Sequence, residues 1–181
     1  VAVMPAGEQH KSWESVETFV EAFLDAGLDR RGWVAALGGG VVGDTAGFAA
    51  SIYMRGVDFV QVPTTLLAMA DSSIGGKVGV DHARGKNLLG AFKQPALVVA
   101  DLDVLASLPS EQMACGMAEG IKAGVITDPV LFDRIDDGRR TSYDSLRRAI
   151  EVKRGIVVRD PQEEGGGARQ QPGQTFGHAV E

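Results

Sequence analysis

The chain is poor in the residues that staple or anchor a protein. Cysteine occurs once, as Cys115, among 181 residues, which excludes an intramolecular disulfide and fits a reducing cytosol. No apolar run approaches the ~20 residues of a membrane span, so the chain is expected to be cytoplasmic and free of membrane. Positive charge is also short: 18 Lys and Arg against 24 Asp and Glu leave a net charge of −6. A general nucleic-acid surface is excluded, and any anion site must come from a local cluster of Lys and Arg. The start, "VAVMPAGEQHKS", lacks an initiating Met, a basic region and an apolar core, so it is no signal peptide. It opens on what reads as a strand. Both ends read as cut, and the chain is expected to be a fragment.

What is present is a patterned sequence, 44% hydrophobic and 23% charged, enough for one domain or parts of two. Residues 13–28 place Trp13, Val16, Phe19, Val20, Phe23, Leu24 and Leu28 on one helical face, with Ser12 as N-cap. "WVAAL" (33–37) reads as a buried strand stopped by three glycines. A helix of small residues follows. "VDFVQV" (57–62) and "ALVVAD" (96–101) read as two more strands. Strands alternating with helices predict an α/β layer with a mostly parallel sheet. After "SLPSEQ" only helices are expected, over 111–126, 129–137 and 143–158, with Pro109 and Pro129 marking starts. The division is therefore placed at 1–105, an α/β part, and 106–181, an all-α part. "DPQEEGGGARQQPGQ" (160–174) reads as a loop.

Four places could carry chemistry. "GGGVVGD" (38–44) follows a strand and opens a helix, where glycines let backbone N–H groups approach a pyrophosphate. It is not G-x-G-x-x-G, and a tight turn needing positive φ explains it equally well. Asp44 reads either as a helix cap or as a hydrogen-bond partner for a cofactor. The stretch 63–95 is long for a connection, against a median of about 4–6 residues, and rich in polar groups. Thr64 and Thr65 sit just past a strand's C-terminal end, where open α/β sheets bind ligands. Lys77, Lys86 and Asn87 there suggest an anionic ligand, or else solvated lysines. Asp71 reads as a cap or a partner for a substrate hydroxyl. "MAEGIKAG" (117–124) sets Glu119 and Lys122 at i, i+3, an ordinary helical ion pair or a metal-binding carboxylate beside a base. Last, "PGQTFGHAVE" (172–181) sets Gln174 and His178 four apart, with one His where a metal pair would need two. His10 and His82 carry no signal of their own.

In order along the chain, "GEQHKS", "GGGVVGDTAGFAAS", "RGVDFVQVPTTLLAMADSSIGGKVGVD", "GKNLLGAFKQP", "LPSEQMACGMAEGIKAG" and "TFGHAVE" resemble the 3-dehydroquinate synthase family of sugar-phosphate cyclases. The form of "DSSIGGK…GKN" looks like these enzymes rather than the valiolone-type cyclases. The resemblance implies a Rossmann-like NAD-binding part followed by an all-α metal-binding part, both incomplete here, with the active site in the cleft between them. It implies conversion of 3-deoxy-D-arabino-heptulosonate 7-phosphate to 3-dehydroquinate and phosphate, in the shikimate pathway to aromatic amino acids. NAD⁺ takes and returns a hydride, phosphate leaves by elimination, and a divalent metal, zinc or cobalt, acts as Lewis acid. A homodimer is implied for the complete enzyme.

By position, the resemblance makes Glu8, Lys11, Gly40, Val41, Val42, Gly43, Asp44, Thr64, Thr65, Lys77 and Lys86 cofactor contacts. Val104, Leu105, Ala106 and Ser107 lie along the same cofactor. Asp71, Asn87, Lys122, Lys153 and His178 become substrate-site residues, Arg55 reaches a substrate phosphate across the dimer, and Glu119 binds metal. Departures stand in the last motif. The family's "LNxGHTFGHAIE" is "QQPGQTFGHAVE" here, with Gln174 at a metal-ligand histidine, Gln171 at an asparagine, Pro172 intruding and Gly167 at a substrate-binding arginine. A neutral amide is a poor zinc ligand. Activity of these residues alone is therefore expected to be impaired. The competing readings are another sugar-phosphate cyclase, a polyol dehydrogenase of the same build, and a non-catalytic NAD-binding remnant.

Overall fold

In a computed structural model of the chain, described over residues 1–136 and 142–159, the α/β part and the helical part each have their own core. The first helix, α1 (Trp13–Asp25), buries Val16 and Phe19, the centre of the apolar face read from the sequence. Ser12 does occupy the N-cap position, but its hydroxyl makes no bond to the helix backbone.

Three strands form a parallel sheet in the order β1 (Trp33–Gly38), β2 (Asp58–Pro63), β5 (Leu97–Val98). β1 pairs with β2 over its full length, from Trp33 opposite Asp58 to Gly38 opposite Pro63. β5 is shorter than the six residues expected, with Leu97 and Val98 alone in register, although Ala96 and Val99 still donate to Phe59 and Gln61. The strand expected at the start is not formed: residues 1–5 have no ladder partner, and only Met4 packs against the core.

Helix α2 (Gly40–Ile52) is the pivot of this part. Seven of its residues are buried, as expected of a helix covered on several sides. One side meets the parallel sheet, another meets α1, and a third meets an antiparallel hairpin of β3 (Lys77–His82) and β4 (Gly85–Phe92). Small residues make this possible. A Cβ at Gly47 would lie 2.5 Å from Val78 Cγ1 and 3.0 Å from the Phe59 ring, so any side chain there would push sheet and hairpin apart. The stretch 63–95, read as one long loop, contains this hairpin, whose register slips between Val80 and His82. The opposite face of the parallel sheet leaves Trp33, Leu37 and Leu97 exposed.

The helical part comprises α3 (Ser110–Thr127), α4 (Pro129–Asp136) and α5 (Tyr143–Arg159). Pro109 is the N-cap of α3 and Pro129 the first residue of α4, where the missing N–H costs nothing. Leu131, Ile135, Leu146, Ala149 and Met117 enclose Leu66, Met69 and Ala70 from the segment after β2. Gly116 allows the closest approach. A Cβ there would lie 2.6 Å from Leu66 Cβ and 2.7 Å from the Leu67 backbone N. The turn that follows β2 is thus gripped by the helical part, and the two parts meet at Thr64 to Ser73.

Candidate functional site

The C-terminal ends of β1 and β2 lie side by side, because Gly38 pairs with Pro63 and the Thr64 N–H donates to the Gly38 carbonyl at 2.9 Å. This brings the glycine turn and the two threonines together, as expected. Gly39 is the N-cap of α2 and carries no side chain to cap it, and among the described residues no side-chain cap bonds the first turn. Added side chains would obstruct that end. A Cβ at Gly40 would lie 2.9 Å from Ser72 Oγ, and one at Gly39 3.0 Å from Thr65 Cγ2. Thr65 turns its hydroxyl to the chain instead, accepting from the Ala68 N–H at 3.2 Å. An open helix N-terminus of this kind attracts an anion.

Asp44 is not a cap. It lies within α2 and forms an ion pair with Lys11, Nζ to Oδ2, at 2.7 Å. Lys11 is 5% exposed, so the pair is largely out of water. Burial pushes the Asp44 carboxyl above its ordinary value; the Lys11 charge opposes that, and Glu8 and Asp71 add repulsion that raises it. Lys11 also donates to Asn87 Oδ1 at 2.7 Å. Asn87 in turn has positive φ, 53°, and its N–H donates to Asp81 Oδ1 at 2.7 Å. The Asp81 N–H closes the circuit on the Lys11 carbonyl at 2.8 Å. Glu8 and Lys86 face each other at 3.8 Å on the surface of the same unit. Five of the expected residues, Glu8, Lys11, Asp44, Lys86 and Asn87, are therefore one cluster. Asp81 belongs to it and was missed; its only signal was a carboxylate just before the "HARG" turn.

A second cluster lies where the turn after β2 meets α3 and α5. Asp71 sits in a short wide turn, Ala68–Ser72, and pairs with Lys153 of α5, Nζ to Oδ1, at 2.7 Å. Glu119 and Lys122 pair on α3, so the ordinary helical ion pair is made. All four line one cleft of about 30 Å³ with Ala70 and Ile126. Among the described residues no three His, Cys, Asp or Glu are grouped to hold a metal.

Other expected residues are placed by other elements. Arg55 is exposed on the turn after α2, where Met54, Arg55 and Gly56 have φ of 48°, 69° and 115°. Lys77 opens β3 with its side chain exposed. Val104 to Ser107 lie in a 3-10 turn, Leu102–Ser107, in which Leu105 is buried in the helical core and is a packing residue. Ser107 returns its hydroxyl to the Val104 carbonyl at 3.0 Å. His178, Gln174, Gln171, Pro172 and Gly167 lie outside the described residues.

Comparisons with known proteins show which family the chain resembles. The family described as 3-dehydroquinate synthase N-terminal matches residues 1–115, and that described as 3-dehydroquinate synthase C-terminal matches residues 116–181. A 3-dehydroquinate synthase of Caulobacter vibrioides is 50% identical over 97% of this chain, which covers 50% of that protein. The 2-epi-5-epi-valiolone synthase of Streptomyces hygroscopicus, solved with NAD⁺ and Zn²⁺ bound, superposes with a TM-score of 0.85 at 34% identity, over 90% of this chain and 48% of its own. A 2-deoxy-scyllo-inosose synthase complexed with carbaglucose-6-phosphate, NAD⁺ and Co²⁺ superposes with a TM-score of 0.84 at 30% identity, over 98% of this chain and 50% of its own. The chain spans about half the length of these relatives.

Proposed function

Because this chain belongs to the 3-dehydroquinate synthase family, we propose that it carries the cofactor-facing half of such an enzyme and part of its substrate site. The whole enzyme converts 3-deoxy-D-arabino-heptulosonate 7-phosphate to 3-dehydroquinate and phosphate, a carbon–oxygen lyase reaction of the cytoplasm. The observation that carries the reading is the uncapped N-terminus of α2 beside a buried Lys11–Asp44 pair that reaches Asn87.

The residues present fit NAD⁺. We assign Gly40 to Gly43 to a pyrophosphate at the helix end with Thr64 and Thr65 beside it, and Glu8, Lys11, Asp44, Lys77, Lys86 and the turn Val104 to Ser107 to the remaining cofactor contacts; the lack of side chains at Gly39 and Gly40 supports this. When bound, NAD⁺ supplies a reversible hydride acceptor for one substrate hydroxyl. The described residues do not fit a metal by themselves. Glu119 is a single carboxylate with Lys122 already upon it. Asp71, Asn87, Lys122 and Lys153 are assigned to the substrate. Their part is to bind and orient: Lys122 and Lys153 exchange a carboxylate partner for an anionic or hydroxyl oxygen, and Asn87 donates from its amide. His178 is assigned to proton handling and Arg55 to the phosphate across a homodimer. The division between the two parts is placed near residue 105.

Gln174 and Gly167, standing where the family has a ligand histidine and an arginine, make slow turnover by this chain alone the expected result. The test is purified chain with NAD⁺, Zn²⁺ and the heptulosonate phosphate, followed by phosphate release and by NMR of the product. NAD⁺ binding by calorimetry, with phosphate release far below that of a full-length relative, is expected. Absence of NAD⁺ binding refutes the cofactor assignment. Accumulating NADH points to a dehydrogenase, and turnover at the relative's rate refutes the impairment.

A further inference from the structure

We propose that Asp81 is a positioning residue that fixes the amide of Asn87 as a hydrogen-bond donor toward the ligand. The inference rests on the reading of Asn87 as a substrate contact and extends it to a residue that the family resemblance does not assign.

β3 and β4 run in register from Lys77 opposite Phe92 to Val80 opposite Leu89, then slip, so that His82 meets Gly85 and Asp81 has no ladder partner. The extra residues are on β4, where Lys86, Asn87 and Leu88 lie opposite Asp81 alone, so the bulge breaks the regular alternation at Asn87. Asp81, facing that bulge, makes two hydrogen bonds. Its N–H donates to the Lys11 carbonyl at 2.8 Å, and its carboxylate accepts the Asn87 N–H at 2.7 Å. Asn87 lies within β4 yet has φ of 53°, a left-handed conformation that strands do not use and that few residues other than Gly and Asn adopt. An acceptor placed on its N–H holds that conformation in place of a ladder bond.

The side chain is fixed from the other end. Lys11 Nζ is a donor with no lone pair to offer, so the Asn87 atom 2.7 Å from it must be the oxygen. That determines which way the amide points. The Nδ2 group, with two N–H donors, is turned away from Lys11, and the residue is exposed. Among the described residues it has no acceptor. Asp81 on the backbone and Lys11 on the side chain together leave Asn87 one available function, donation to an oxygen such as a polyol hydroxyl. Lys11 is itself held by Asp44 at the cofactor end of α2, so the orientation of the donor is tied to the cofactor-facing residues.

The test uses the ¹⁵N-labelled chain, with and without ligand. In D81A, amide exchange at Asn87 should accelerate about tenfold or more, while D81N, whose amide oxygen still accepts, should stay within about threefold of wild type. Calorimetry with the heptulosonate phosphate at saturating NAD⁺ should show D81A binding about tenfold more weakly, D81N near wild type, and NAD⁺ affinity itself within about twofold in both. N87A should reproduce the D81A loss, and D81A/N87A should be no worse than N87A alone. Unchanged Asn87 exchange in D81A overturns the proposal. So does equal loss in D81A and D81N, an equal fall in NAD⁺ affinity, or additive losses in the double variant. If wild-type chain binds no heptulosonate phosphate, the proposed function fails there, and the exchange measurement still decides whether Asp81 positions Asn87.

Discussion

The two charged clusters solve the same problem, holding lysines near a carboxylate, in opposite ways. In the α/β part Lys11 is 5% exposed and bonds Asp44 and Asn87 at once, and its carbonyl accepts from Asp81. What faces outward there is a set of N–H donors fixed by backbone geometry. In the helical part Lys122 and Lys153 are each matched to one carboxylate, Glu119 and Asp71, with side chains 19–28% exposed. That cluster is neutralised within itself, and a ligand enters it only by exchanging partners. The first is preorganised, which lowers the cost of binding; the second is exchangeable. In the proposed function a retained nucleotide suits the first, with Asn87 at its substrate-facing edge, and a substrate that arrives and leaves suits the second.

If the contrast is right, breaking the first cluster has the largest effect on stability. K11M keeps the length of the side chain and removes the charge, leaving Asp44 buried without a partner. Breaking a buried pair in this way costs about 3–5 kcal/mol. Its pH dependence has a definite sign. Burial already holds Asp44 above its ordinary value, and loss of Lys11 moves it higher still, with Glu8 and Asp71 pushing the same way. A carboxyl raised in the folded state contributes stability below its unfolded pKa, which is lost as pH climbs through the folded one. The gap between K11M and wild type should widen as pH rises above about 4, the unfolded carboxyl value, in urea titrations. A constant gap would show that the pair is not the source.

Next is the joint between the parts. G116A puts a methyl 2.6 Å from Leu66 Cβ and 2.7 Å from the Leu67 backbone N, neither of them the end of a flexible side chain. About 1–3 kcal/mol of destabilisation is expected, against the small gain alanine gives elsewhere in a helix. The same change at Gly120, whose nearest neighbour is Ile135 Cδ1 at 3.3 Å, is the control, because that side chain can give. Equal melting temperatures for the two variants would mean the contact at Gly116 is not tight.

How much of this was legible from the sequence follows from the range of the forces. β1, β2 and the helices were readable because their signals are local: apolar period, Gly38 to Gly40, Pro109 and Pro129. Pairing across long separations was not. The hairpin inside 63–95 looked like a polar loop because β4 alternates weakly and breaks at Asn87. The opening strand failed because a strand depends on a neighbour that residues 1–5 do not find. At the site, residue types were legible but partners were not. Nothing near Asp44 in sequence says that Lys11, 33 positions earlier, neutralises it. Asp81 went unnoticed because a bulge is set by register, which no single strand encodes.

The second cluster should respond weakly. A double-mutant cycle on Asp71 and Lys153, with D71N and K153Q, is expected to give a coupling of about 0.5–1 kcal/mol, the range for partly exposed pairs. A coupling as large as the loss in K11M would erase the distinction between preorganised and exchangeable charge.

The smallest stability effect is predicted at Glu119, where the comparison is sharpest. Its pair with Lys122 is an i, i+3 helical pair, worth about 0.2–0.5 kcal/mol. E119Q should therefore melt almost where wild type does. Ligand response should separate the two. If Glu119 is a metal-binding carboxylate, any Zn²⁺-dependent rise in melting temperature seen with wild type is lost in E119Q, while stabilisation by NAD⁺ is unchanged. If Glu119 serves only the helix, Zn²⁺ shifts both proteins alike. Because Lys122 sits on the carboxylate in the free chain, K122Q should increase the Zn²⁺ response. A carboxylate released from its cation is the better ligand, whereas a purely structural pair would give no gain when broken.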